Sequence, residues 1–262
     1  MNLNFKSNNP FLKNKSFAKT ATVPVYDADG RPVEVIDYND TMTISGAINK
    51  SFILLGLLLC TAGYTWWLYF NGQNPLLLGI IGAILGFICV LVAAFKPAAS
   101  RYLSPAYALF EGLFIGAISA YIEENYYPGI VLQAVGGTFT TFIVCFALYR
   151  FRIVKVTEQF KSVVIASTFA IATYYLISWI FSLFTSWEPV HHGNSLMSIG
   201  ISVFVIVIAA LNLFLDFDMI EQGAKRRLPK HMEWFSAMGL MITLVWLYLE
   251  ILRLLSKLSS RD

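Results

Sequence analysis

Seven apolar stretches dominate the chain from residue 51 onward: Ser51–Phe70, Pro75–Phe95, Tyr102–Ile122, Ile130–Tyr149, Ser162–Phe184, Ser195–Phe217 and Trp234–Leu255. A segment needs roughly 20 mostly apolar residues to cross a hydrocarbon core of about 30 Å. Lipid offers the backbone no hydrogen-bond partners, so each span must be a helix. The breaks between spans carry turn chemistry: Asn71-Gly72-Gln73-Asn74, Tyr127-Pro128-Gly129, Glu188-Pro189 and Gly193-Asn194. Trp66, Trp67, Tyr69, Tyr126, Tyr127, Trp179 and Trp187 cluster near span ends, where amphipathic rings settle at the headgroup level. The pattern predicts an all-α membrane protein, with residues 50–258 forming a seven-helix transmembrane domain. Residues 1–49 are polar and read as a solvated, disordered cytoplasmic tail. Within it Val23–Tyr38 alternates weakly around Asp29-Gly30-Arg31-Pro32, which leaves a small hairpin as the second reading.

Composition adds weight to this. The chain is 57% hydrophobic and 13% charged, against about 25% charged residues in an average globular chain. Its apolar runs begin too late for a secretory signal. Cys60, Cys89 and Cys145 each sit within a span at spacings that fit neither zinc nor disulfides, and read as plain thiols.

The placement of charge predicts the orientation. Sixteen of the nineteen Lys and Arg residues lie in the tail or in the second, fourth and sixth loops. The first, third and fifth loops carry none. Positive loops remain cytoplasmic, so the N-terminus is expected inside the cell. Seven spans then place the C-terminus outside, where Arg253, Lys257 and Arg261 break the rule. Either the violation is tolerated or the last segment is re-entrant. The outer loops carry Glu123, Glu124 and Glu188. They read as loop solvation, with an acidic face that concentrates cations as the alternative.

Ionisable residues inside spans are costly and are functional candidates. Glu111 lies near the middle of the third span, with no other charge within a turn. It must be protonated, solvated by a cavity or paired across helices. Asp216 and Asp218 end the sixth span and have an interfacial reading as well. Glu250 and Arg253, spaced i,i+3 on the seventh, can pair locally. The acids outnumber the base four to one, the bias expected of a cation path. Ala108, Gly112, Gly116 and Ala120 recur every fourth residue and allow another helix to approach closely, as do Gly82 and Gly86. His191-His192 is an isolated pair without further ligands and reads as loop, so no metal site or cofactor is expected. Nucleophile, phosphate-loop and dinucleotide motifs are missing, which argues against an intramembrane enzyme. The basic residues flank membrane spans, so nucleic-acid binding has no support.

Tyr107-Ala-Leu-Phe-Glu111-Gly-Leu-Phe-Ile-Gly116-Ala-Ile-Ser and Tyr127-Pro-Gly-Ile-Val-Leu-Gln-Ala-Val-Gly-Gly-Thr138 resemble the third and fourth spans of the Bax inhibitor-1 (YccA-like) family. Asp216-Phe-Asp218, Met232-Glu-Trp-Phe and Trp246-Leu-Tyr-Leu-Glu250-Ile-Leu-Arg253 resemble its end, in a divergent bacterial branch. The resemblance covers about residues 40–258. It implies six helices around a central seventh and location in the cell inner membrane. It also implies association with a pH-sensitive calcium leak and, in eukaryotes, restraint of cell death. In channel-like members two aspartates, on the sixth and seventh helices, share protons and gate the pore, and an arginine near the third helix acts as a latch. The first aspartate maps to Asp218 and the arginine to Arg101, with Arg253 as another salt-bridge partner. The preferred alignment places Thr243 at the second gate position; an alternative with a longer insertion places Glu250 there. Two readings follow: a cation path with Asp218, Glu111, Glu250 and Asp216 as path or sensor acids and Ca2+ as the transported ion, or a non-conducting interaction protein that modulates a membrane protease or a stress response.

Overall fold

The computed structural model describes residues 22–26, 32–36, 40–184 and 193–260. His191, His192, Glu188, Arg261 and the first 21 residues lie outside the described residues. Thr22–Tyr26 (β1) and Pro32–Ile36 (β2) pair antiparallel, with Thr22 opposite Ile36 and Tyr26 opposite Pro32. Of the two readings of this stretch, the hairpin is the one that forms. Seven helices follow: α1 (Ile44–Phe70), α2 (Leu76–Phe95), α3 (Ser100–Asn125), α4 (Ile130–Arg150), α5 (Glu158–Phe184), α6 (Leu196–Lys225) and α7 (His231–Ser259). All seven are long and apolar enough to cross a membrane. The protein is a multi-pass integral membrane protein.

Several helices outrun their apolar stretches, and polar contacts explain why. Helix α1 starts at Ile44 rather than Ser51 because Thr43 caps it, its hydroxyl accepting from the Gly46 N–H at 3.0 Å. Helix α6 continues eight residues past Phe217, where Asp218 and Gln222 join in a side-chain bond. At 30 residues it rises about 45 Å, more than a hydrocarbon core requires. Helix α7 is continuous over 29 residues and is long and apolar enough to cross a membrane.

Helix α7 is the central element. Helices α1, α3, α4 and α6 pack on it, α5 reaches it through side chains, and α2 lies outside against α3. The small-residue stripe of α3 receives α1: a Cβ on Gly112 would overlap the Leu58 carbonyl, and one on Gly116 the Ala62 carbonyl. Gly82 of α2 meets the Phe110 carbonyl in the same way, so α3 is clamped between two close neighbours. Ahead of α1, Thr41 pairs with Pro229, and Met42 donates to the Leu228 carbonyl at 2.7 Å. The segment entering α1 therefore lies against the α6–α7 loop, and the two share one end of the bundle. Two of the acids in the loops expected outside are structural. Glu123 accepts from the Gly129 and Val131 N–H groups at the start of α4, and Glu124 accepts from the Tyr69 hydroxyl.

Candidate functional site

Helix α5 presents one polar or buried residue each turn to its neighbours. Lys161, Thr168 and Tyr175 recur every seven residues, each followed three residues on by a buried one, Val164, Ile171 and Ser178. A seven-residue repeat is two helical turns, so these side chains lie along one face. Against that face stand the ionisable residues of α6 and α7.

At the end shared with the basic loops, Lys161 bridges Asp218 at 2.9 Å and Glu158 at 3.2 Å. Gln222 also donates to Asp218, at 3.4 Å. One layer deeper, Asn212 of α6 donates to the Thr168 hydroxyl at 2.8 Å. Asp216, one turn from Asn212, points instead to α7. The Thr243 hydroxyl is its neighbour on that helix and donates to the Gly239 carbonyl at 3.3 Å, and Asp216 lies 3.6 Å from where a Cβ on Gly239 would be. Its Oδ2 is buried and has no hydrogen-bond partner among the described residues.

Toward the opposite end, the Glu250 Oε1 accepts from Arg253 at 2.9 Å and from the Tyr175 hydroxyl at 3.3 Å. Arg253 also donates to Tyr175 at 3.2 Å and lies over its ring. The Glu250 Oε2 is buried and has no hydrogen-bond partner among the described residues. One turn further, the buried Lys257 reaches across to α6, donating to the Ser202 hydroxyl at 2.7 Å and to the Ser198 carbonyl at 3.4 Å. Polar groups thus run through the α5–α6–α7 interface from Glu158 to Lys257, with three acids of the column buried. Two of the three cations that broke the loop-charge rule have partners here. Arg253 is tied to an acid and a tyrosine, and Lys257 is turned into the bundle.

The expected site residues divide. Asp216, Asp218, Thr243, Glu250 and Arg253 fall along this column. Thr243 faces Asp216, while Asp218 faces Lys161. Glu111 does not join them. It sits between α3 and α2, its Oε2 3.0 Å from where a Cβ on Gly86 would be, and no hydrogen bond or ion pair joins it among the described residues. Arg101 is exposed, with its guanidinium 5.1 Å from the ring of Tyr102, and forms no ion pair among the described residues. The cation on Asp218 is Lys161. Sequence reasoning had counted Lys161 and Lys257 only as loop charges.

A second polar centre was missed altogether. Glu233, in the first turn of α7, is 1% exposed. Its Oε1 accepts from the Thr43 N–H at 2.8 Å and the Thr43 hydroxyl at 3.0 Å, and its Oε2 from Lys50. Lys50 also lies over the Trp234 ring. This acid fastens the N-terminus of α1 to that of α7.

The family model described as Bax inhibitor 1 like matches residues 7–260, nearly the whole chain. No curated protein matches it.

Proposed function

The chain belongs to the Bax inhibitor 1 like family, and on that premise we propose that the α5–α6–α7 column is a pH-sensitive pathway for small cations, calcium among them, held closed in this structure. The observation that carries the reading is the pair of buried carboxylates, Asp216 and Glu250, each with one oxygen that has no hydrogen-bond partner among the described residues. A buried carboxylate oxygen without a partner is costly, and a passing cation or proton would supply that partner. Lys161 and Arg253 stand at the two ends as removable counter-charges. Under this reading Asp216 and Thr243 form the central constriction, and Asp218 is an entrance acid held by Lys161. Glu111 lies off the path, between α2 and α3.

A carboxylate binds a metal cation only when ionised. The groups facing the path are Glu158, Lys161, Asp216, Asp218, Tyr175, Glu250, Arg253 and Lys257, and the acids among them must be charged for calcium to enter. Calcium flux into proteoliposomes should therefore be greater above neutral pH than below it. Flux equal to that of protein-free vesicles at both pH values would leave the second reading, a non-conducting partner of a membrane protease or stress-response protein. One observation favours that alternative. Two cavities in the bundle, of about 1060 and 290 Å³, have mostly apolar walls, and neither is lined by Glu111, Asp216 or Asp218.

The loop charges and the shared end of α1 and the α6–α7 loop support an N-terminus in the cytoplasm. Reporter fusions in the second, fourth and sixth loops should read cytoplasmic, and those in the first, third and fifth external. An external reading directly after Arg152 would reverse the assignment.

A further inference from the structure

We propose that the cleft between α1 and α4 is a binding site for one anionic phospholipid of the leaflet that borders the basic loops. This goes beyond the cation pathway, which runs on the α5–α6 side of α7. Together with α6, the two helices surround a cavity of about 1060 Å³ floored by Met241 and Leu244 of α7 and walled by Ile48, Phe52, Phe142 and Phe146. Along α1 it extends from Ile44 to Leu55, and along α4 from Phe139 to Arg150. Eleven residues of helix rise about 16 Å, which is one leaflet of a hydrocarbon core about 30 Å thick. The cavity is thus an acyl-chain slot of one-leaflet depth.

Its mouth is of different chemistry. Arg150, Arg152, Lys155 and Lys225 line it, against the single carboxylate of Glu221. Glu221 is already taken by Lys225 and by the Tyr149 hydroxyl, which donates to it at 2.6 Å. Arg150, Arg152 and Lys155 form no ion pair among the described residues. The mouth is also fixed in place. Arg152 adopts a left-handed backbone (φ 56°), and the next N–H returns to the Leu148 carbonyl at 3.0 Å, so the chain folds back over the end of α4. Basic pockets at the membrane surface between transmembrane helices take anionic lipid headgroups. An apolar slot one leaflet deep beneath such a cluster fits a lipid with a phosphate headgroup, not a soluble anion and not a neutral lipid.

The test is retention of lipid by the purified full-length protein in detergent, read by native mass spectrometry. Phosphatidylglycerol and phosphatidylcholine with identical acyl chains are offered at equal concentration. Wild type should retain one phosphatidylglycerol with at least about tenfold preference. Each basic residue near an anionic surface is worth roughly a factor of five. Arg150→Ala/Arg152→Ala/Lys155→Ala should therefore weaken retention by on the order of 100-fold, whereas Lys96→Ala/Arg101→Ala, on another basic loop, should leave it unchanged. Ile48→Trp fills the slot while keeping every charge and should also lose the lipid. Water-soluble glycerophosphoglycerol should fail to displace it. Equal retention of the two lipids, an equal loss in the Lys96/Arg101 variant, full retention by Ile48→Trp, or displacement by the soluble headgroup would each overturn the proposal.

Discussion

Glu233→Ala should destabilise the bundle by about 3 kcal/mol, the lower end of the cost of breaking a buried ion pair. Glu233 is the one group that receives the N–H and hydroxyl of the α1 cap together with the Lys50 ammonium. Removing it leaves the Thr43 N–H without its acceptor and Lys50, 15% exposed, facing the Trp234 ring alone. Gly46 belongs to the same arrangement, since a Cβ there would strike the Glu233 carboxylate. Glu233→Gln keeps an acceptor for Thr43 but loses the charge, so it should fall between wild type and Ala. Thermal unfolding in detergent checks this. A drop in Tm on the order of 10 °C is expected for Ala, and equal stability of all three proteins would show that α1 is anchored elsewhere.

Lys161→Met should raise calcium flux about fivefold to tenfold. The ammonium of Lys161 occupies the entrance acid and joins α5 to α6 there. A partly buried pair of this kind, with side chains 27% and 12% exposed, contributes somewhat more than the fraction of a kcal/mol typical of exposed pairs, and about 1.4 kcal/mol is a factor of ten. Met preserves the aliphatic length and removes both the lock and the repulsion of an entering cation. Asp218→Asn should also loosen the lock but weaken cation capture, so its flux should rise less. If Lys161→Met conducts at the wild-type rate, the ion pair is structural and does not gate.

The seven spans, the close approach of α3 to its neighbours and the Glu250–Arg253 pair were legible in the sequence because each depends on local spacing. The pairing across helices was not. Asp216 and Asp218 looked like one interfacial group, yet residues two apart on a helix are separated by about 200°. They must face different helices, and they do, one toward Thr243 and the other toward Lys161. The gate positions expected from the resemblance, Asp218 and Thr243, therefore have different nearest neighbours, Lys161 and Asp216. Lys161 and Lys257 were hidden by the loop-charge rule, which counts a cation without asking what it touches. The seven-residue repeat of Lys161, Thr168 and Tyr175 was the available signal for the column. Glu233 stood in a short basic stretch after α6 and gave no sign of burial, because its partners lie 183 and 190 residues earlier. Glu111 had a clear sequence signal as a lone acid in mid-span, and the structure places it away from every other acid of the column.

Asp216 is the residue on which the account turns, since it is buried, faces α7 and keeps one oxygen without a hydrogen-bond partner among the described residues. The decisive measurement is calcium flux into proteoliposomes above neutral pH, wild type against Asp216→Asn. Asparagine preserves the volume and the contact with Thr243 but cannot carry the charge that a cation requires. The account predicts that the variant folds with wild-type thermal stability and loses flux by more than about tenfold, a barrier increase of roughly 1.4 kcal/mol or more. A stable Asp216→Asn protein that conducts calcium as wild type does would contradict it.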